Sequence, residues 1–183
     1  MYRRIFIIVN MTKQEIKIRT ANVDDAERLL SIYAPYVEKT AISFEYKVPS
    51  IGEFKRRIAT FGSQHSYIVA LSGEEIVGYA YATQLGEREA FKYSVELAIY
   101  VSKDHRGGGI GRKLYDDMQN RLIARGIKNM YACVAYTETE DEYLTNSSSR
   151  FHEHLGFKRV AHFHSCGYKF DKWYDIVWYE KTL

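Results

Sequence analysis

Val95-Glu-Leu-Ala-Ile-Tyr-Val-Ser-Lys-Asp-His-Arg-Gly-Gly-Gly-Ile-Gly-Arg-Lys-Leu114 is the stretch that decides how this chain folds. An apolar run over Ser94 to Val101 reads as a strand, and the loop after it holds four glycines in five positions, Gly107, Gly108, Gly109 and Gly111. A helix is predicted from Gly109 to Arg125, because Ile110, Leu114, Met118 and Leu122 recur every four residues along one stripe. Gly126 ends it where left-handed backbone is needed. Glycine lets a backbone approach a ligand closely. The first N–H groups of a helix have no partner within it, and the helix dipole adds positive potential there. Strand, glycine loop and helix start together therefore make a seat for a phosphate or pyrophosphate. Two familiar phosphate loops do not fit. A Walker loop ends in Gly-Lys-Ser/Thr, whereas Gly111 is followed by Arg112-Lys113. The dinucleotide fingerprint needs G-x-G-x-x-G, and the spacing of Gly107, Gly109 and Arg112 breaks it. The pattern that survives is Arg106-x-x-Gly109-x-Gly111.

Upstream, Ile16 and Ile18 alternate as a first strand. Asp24 or Asp25 is positioned to cap a helix bearing Ala26, Leu29, Leu30 and Tyr33, with Pro35 near its end. Pro49-Ser50 opens a second helix, Ile51 to Phe61, whose Ile51, Phe54 and Ile58 share a face. Tyr67 to Leu71 and Ile76 to Thr83 read as a hairpin about Ser72-Gly73. Downstream lie a strand, Asn129 to Ala135, an acidic insertion, Glu138 to Glu142, and a helix from about Asn146 to Leu155 closed by Gly156. Phe157 to Phe170 and Trp173 to Glu180 finish the chain as a hairpin about Asp171-Lys172. Strands alternating with helices and ending in a strand pair predict a mixed α/β sheet.

The 183 residues suit one domain, with 46% hydrophobic and 27% charged side chains in the balance of a globular protein. A net charge of +3 is too small to argue for nucleic acid. No stretch approaches the ~20 apolar residues of a membrane span. The leader, residues 1–15, has Arg3-Arg4 before an apolar run of five residues, shorter than the roughly 7–15 of a secretion signal. It is expected to be an extra edge strand or to precede a true start at Met11. Cys133 and Cys166 lie far apart and read as reduced thiols of a cytoplasmic protein. Most of the 16 tyrosines read as amphipathic strand residues. His162, His164 and Cys166 alternate at metal-ligand spacing, but no fourth ligand is evident, so no metal is expected.

Arg106-x-x-Gly109-x-Gly111 resembles the pyrophosphate loop of the GNAT acetyltransferases. Ser148 to Phe157, S-S-R-F-H-E-H-L-G-F, looks like the S-x-x-x-H-E-x-x-G-F helix of one branch of that family. Gly167-Tyr168-Lys169-Phe170 with Trp173-Tyr174-Asp175 is similar to the same branch's C-terminal hairpin, and Ala41-Ile-Ser-Phe44-Glu45 to its first interhelical loop. The branch is that of phosphinothricin and methionine sulfone N-acetyltransferases, and the resemblance covers residues 16–183. It implies the α/β (α+β) GNAT fold, a mixed central sheet of six to seven strands flanked by about four helices. It also implies acetyl-CoA as co-substrate, a primary amine of a small, amino-acid-like molecule as acceptor, and a homodimer.

Such a reaction needs a base to deprotonate the amine, a place for the oxyanion's charge and a proton for the leaving thiolate. The resemblance gives Glu96 the role of base, and a carboxylate between Val95 and Leu97 should have a raised pKa unless Lys92 or Arg88 pairs with it. It implies that Ile99, Tyr100 and Val101 offer backbone hydrogen bonds to the pantetheine arm. Arg106, Gly107, Gly108, Gly109, Ile110, Gly111 and Arg112 would hold the pyrophosphate. His152 stands where many relatives carry the tyrosine that protonates the thiolate, yet it shares a helix face with Ser148, Phe151 and Leu155 and reads equally as a core residue. Asn146 and Ser148 would reach the coenzyme from the start of that helix, although Thr145 stands where the branch has Asn. Phe44 would wall the acceptor site, and Arg88 and Lys92 are candidates for a substrate carboxylate. Phe91 and Lys92 replace the branch's usual Tyr and Arg, so that pocket is altered. Direct attack in a ternary complex is expected, since neither cysteine adjoins Glu96 in sequence. Two rival readings are acetylation of protein N-termini or lysines, and a non-catalytic acyl-CoA-binding module.

Overall fold

The computed structural model describes residues 15–183. The edge-strand expectation for the leader lies outside these residues. The elements, in order, are β1 (Ile16–Thr20), α1 (Ala26–Lys39), α2 (Ile51–Gln64), β2 (Ser66–Ser72), β3 (Glu75–Gln84) and β4 (Ser94–Val101). They continue with α3 (Ile110–Ala124), β5 (Asn129–Tyr136), α4 (Ser147–His154), β6 (Lys158–Lys169) and β7 (Lys172–Thr182). The seven strands form one mixed sheet in the order β1-β2-β3-β4-β5-β7-β6. Only β4 and β5 run parallel; every other neighbouring pair is antiparallel. Seven strands and four helices match the fold expected from the sequence.

Period-two alternation sends successive side chains to opposite faces of the sheet. On one face Val95 and Leu97 of β4 join Met130, Ala132 and Val134 of β5 beneath the α3 stripe of Ile110, Leu114, Met118 and Leu122. On the other face α1 and α2 lay Leu29, Tyr33, Tyr36, Phe54 and Ile58 over Tyr67, Val69 and Tyr79. Much of the tyrosine excess is there. Tyr33, Tyr67, Tyr79, Tyr81 and Tyr100, with Arg57, line a cavity with room for about one water.

Local rules and tertiary packing disagree in three places. Pro35 lies inside α1, which runs on to Lys39. Proline removes one hydrogen bond from a helix, but Tyr36 and Val37, which follow it, are buried and keep the last turn docked. Ile51 does not share the buried face of Phe54 and Ile58; it is 45% exposed in the first turn of α2. The β6–β7 turn is centred one residue earlier than expected, with Phe170 and Asp171 both left-handed at φ 52° and 58°. Two successive positive φ values define the hairpin turn whose twist suits the strands, a turn that glycine or asparagine usually supplies. Here stacking of Phe170 on Tyr143, with ring centroids 4.2 Å apart, holds the conformation.

Candidate active site

The parallel pairing of β4 and β5 covers three residue pairs, Ser94–Asn129, Val95–Met130 and Glu96–Tyr131, and stops. Beyond Glu96 the two strands separate, β4 staying on β3 and β5 following β7. The slot opens at the carboxyl ends of parallel strands, where α/β sheets take their ligands.

The starts of two helices serve this opening. Gly109, left-handed at φ 77°, forms the N-cap of α3 and offers no side-chain cap. Asn146 precedes α4, again with no side-chain cap bond. By contrast Ser50 caps α2, and an Asn22–Asp25 capping box closes the turn leading into α1. A Cβ at Gly107 or Gly109 would meet nothing within 4 Å, so the loop has open space on its outer side. Gly111 is constrained differently: a Cβ there would come within 2.9 Å of Phe151 of α4, so its glycine lets the two helices meet. Arg106 lies 5.3 Å over the Tyr36 ring, while Arg112 is exposed on the first turn of α3. Open backbone, uncapped amides and nearby guanidinium groups suit a diphosphate.

Tyr36, which the sequence reading passed over, also fixes the end of β4. Its hydroxyl donates to the Val101 carbonyl at 2.6 Å and accepts from the Val101 N–H at 3.3 Å. Val101 is therefore committed within the protein, and the strand's two-residue alternation directs Ile99 to the same edge. Ile99 is the residue of the three best placed to meet a ligand's amide arm.

Glu96 is half-buried on the slot's floor, facing the tyrosine layer. Among the described residues its carboxylate makes no ion pair; Lys92 reaches Glu89 instead, at 3.4 Å. Burial alone raises its pKa above the ordinary carboxylate value. Cys133, two residues beyond the Glu96–Tyr131 pair, is exposed but crowded by protein atoms. Burial, with Glu96 nearby, pushes its thiol up to about 12.

His152 lies in the core, 3% exposed. Nδ1 lies 2.8 Å from the Ser148 carbonyl, which can only accept, so Nδ1 carries the proton. Nε2 then accepts from the Tyr115 hydroxyl at 2.7 Å. Burial lowers the His152 pKa and keeps the ring neutral. Both nitrogens are occupied, so this geometry favours the core reading of His152 over the acid. Asn146 is committed too, its side chain bridging the N–H and carbonyl of Thr137. Ser148 is half-buried on the first turn of α4, its carbonyl taken by His152.

Phe44, expected to wall the acceptor, is positioned by the loop after α1. Phe44 lies against Gly167 of β6 so closely that a Cβ there would come within 2.3 Å of the ring. Gly167→Ala should therefore displace Phe44, raising the acceptor KM while leaving the affinity for acetyl-CoA within about twofold, since α3 and β4 are untouched. Steady-state kinetics with calorimetry checks this split, and an unchanged acceptor KM would remove Phe44 from the site. Lys169, buried in the same hairpin, donates to the carbonyls of Val37, Thr40 and Ser43 at 2.6–2.9 Å and so ties the loop to the end of α1. Two acids of the insertion are tied into the fold. Glu140 pairs with Arg150 and accepts from the Asn146 N–H, and Asp141 binds Lys172 and the N–H groups of Tyr143 and Leu144. Leu144 and Tyr143 then pack on Ala41 and Phe44. Arg88 and Lys92 are exposed on the turn before β4, on the chain leading to Glu96.

This architecture defines an acyl-coenzyme transferase, and residues 18–178 match the family described as the acetyltransferase (GNAT) domain. The chain belongs to that family and is an acetyl-CoA-dependent N-acetyltransferase. A phosphinothricin N-acetyltransferase of Streptomyces coelicolor is 28% identical over 182 residues, 92% of this chain and 97% of the relative. An L-methionine sulfoximine/L-methionine sulfone acetyltransferase of Pseudomonas paraeruginosa is 30% identical, covering 91% and 94%. The solved structure of a GNAT superfamily phosphinothricin acetyltransferase from Sinorhizobium meliloti, in complex with AcCoA, superposes with a TM-score of 0.84 at 29% identity, covering 92% of this chain and 88% of that one.

Proposed function

We propose that the enzyme acetylates the primary amine of a small, amino-acid-like molecule by direct attack in a ternary complex. The observation that carries this reading is a half-buried carboxylate, Glu96, without a cationic partner, where β4 and β5 part. A raised pKa makes Glu96 a stronger base toward an ammonium substrate, either directly or through one water. The amides of Gly109, Ile110, Gly111 and Arg112, with Arg106, would hold the pyrophosphate, and Ile99 the pantetheine arm. Acetyl-CoA, once bound there, supplies the thioester that the amine attacks. A thiol held near 12 is almost wholly protonated at neutral pH, so Cys133 is poorly suited to carry an acetyl group, which favours direct transfer. Phe44 bounds the acceptor, and Arg88 or Lys92 supplies the cation for its carboxylate. His152 acts by position: its bond to Tyr115 joins α4 to α3 behind the pyrophosphate loop.

Relatives that act on phosphinothricin and methionine sulfone support the substrate class. Exposed Val160, Phe163, Tyr168 and Trp173 along the β6–β7 hairpin support a homodimer. None of the helices among the described residues is long and apolar enough to cross a membrane, in keeping with a cytoplasmic enzyme. Acetyl-CoA-dependent thiol release should be measured over amino acids, methionine sulfone, methionine sulfoximine, phosphinothricin and polyamines, with the protein's mass taken by light scattering. The highest kcat/KM is expected for an amine carrying a carboxylate or its isostere. Turnover of polyamines alone would overturn the substrate class, and a monomer mass would overturn the dimer.

A further inference from the structure

The outer hairpin departs from regular pairing where its chemistry becomes unusual. Phe163 pairs with Ile176 and Gly167 with Tyr174, so three residues of β6, His164 to Cys166, face Asp175 alone on β7. Ser165 turns left-handed at φ 47° to accommodate the swelling. Residues two apart on a regular strand are separated by roughly 6.6 Å, whereas the rings of His162 and His164 have centroids 3.9 Å apart. Asp175 faces them with both oxygens fixed. Oδ2 lies 2.6 Å from His162 Nε2, and Oδ1 accepts from the Ser165 N–H at 2.7 Å. One donor atom from each of His162, His164 and Asp175 falls within 4.8 Å of the others. Arg159, the cation nearest along the strand, is engaged on the Tyr136 ring at 4.7 Å, and Tyr136 in turn meets His162 edge-on. Cys166 stands apart, its Sγ directed to the Phe163 carbonyl at 3.5 Å. The set is therefore not the His162, His164 and Cys166 trio that the sequence spacing offered.

We propose that His162, His164 and Asp175 form a binding site for a divalent transition-metal ion of the zinc class, separate from the acetyl-transfer chemistry. Two imidazoles and one carboxylate are a donor set that suits Zn²⁺ or Co²⁺ and that hard, oxygen-seeking Mg²⁺ and Ca²⁺ disfavour. Ligands at about 2.1 Å in a tetrahedron lie roughly 3.4 Å apart. Admitting the ion takes a rotation of the exposed His164 side chain and a parting of the 2.6 Å His162–Asp175 hydrogen bond to that spacing. The fourth position opens to solvent and takes a water. The bound ion would lock β6 to β7 at the swelling, where the regular register between the strands lapses.

The test uses the full chain without an affinity tag, titrated with ZnCl₂ by calorimetry and with CoCl₂ by visible absorption. One saturable equivalent per chain is expected, with tetrahedral Co²⁺ bands that Zn²⁺ displaces. A hundredfold excess of Zn²⁺ over its Kd should raise Tm by about 9 °C. His164→Ala, at an exposed position that leaves the fold intact by circular dichroism, should weaken binding at least tenfold; His154→Ala, on α4, should not. Absence of saturable Zn²⁺ binding to the wild-type chain, or equal affinity in His164→Ala and Asp175→Asn, would overturn the proposal.

Discussion

Glu96→Gln is expected to lower kcat by about two to four orders of magnitude at neutral pH, the worth of a positioned general base. Glutamine preserves the shape and the strand while removing a carboxyl group whose pKa burial raises and that has no cationic partner among the described residues. In the wild type, activity should be present above the folded pKa of Glu96 and be lost as pH falls through it. That limb lies above the ordinary carboxylate range because burial disfavours the anion. It should be absent from the residual activity of the variant. Stability carries the opposite sign. With a folded pKa above the unfolded one, the group's contribution is fully present below the unfolded value and is lost as pH rises through the folded value. At neutral pH the native Glu96 is therefore a burden on the fold, and Glu96→Gln should melt slightly higher than the wild type while turning over more slowly. A kcat loss of less than about tenfold, with the acid limb intact, would remove Glu96 from the proton path.

Lys169→Met is the second large effect. Lys169 is 4% exposed and has three carbonyl acceptors but no carboxylate on its ammonium; burial pulls its pKa below the usual lysine value, opposed by Glu45 nearby. Methionine fills the volume but leaves three carbonyls without donors, at a cost of about 3 kcal/mol. Such a loss lowers Tm by roughly 10 °C in a chain of this size. Thr40 and Ser43 bracket the path to Phe44, so the acceptor KM should rise more than kcat falls. Lys169→Arg keeps the charge but replaces three rotatable donors with a planar fork, and should rescue only in part. Thermal melts and steady-state kinetics of the two variants test this together. A methionine variant as stable as the wild type would show that the carbonyls find water and that the clamp is dispensable.

The strands, the α3 stripe and the glycine loop were legible because each rests on a local rule: alternation, a four-residue repeat, and glycine where φ must be positive. Glu96 stood out as a lone carboxylate in an apolar strand, and the resemblance supplied the role expected of it. What stayed hidden depends on register. Nothing in the sequence pairs Tyr36 with Val101, 65 positions away, or brings the Tyr115 hydroxyl to His152. Cys133 joined the slot because β5 pairs with β4 at Tyr131, and Asp175 met His162 because β6 swells opposite it. The turn at Phe170-Asp171 could not be read, since neither residue favours left-handed backbone and a ring stacked from a distant insertion holds it there.

The early parting of β4 and β5 means that a chain lying between them inherits two rows of main-chain donors and acceptors. The sheet is in effect two leaves bound along a spine of three residue pairs, with a visitor acting as the missing rung. Any sequence change that zips the leaves further, by strengthening pairing past Glu96, would make a sturdier protein and shut the slot proposed for the coenzyme. Along this seam, robustness and usefulness pull in opposite directions.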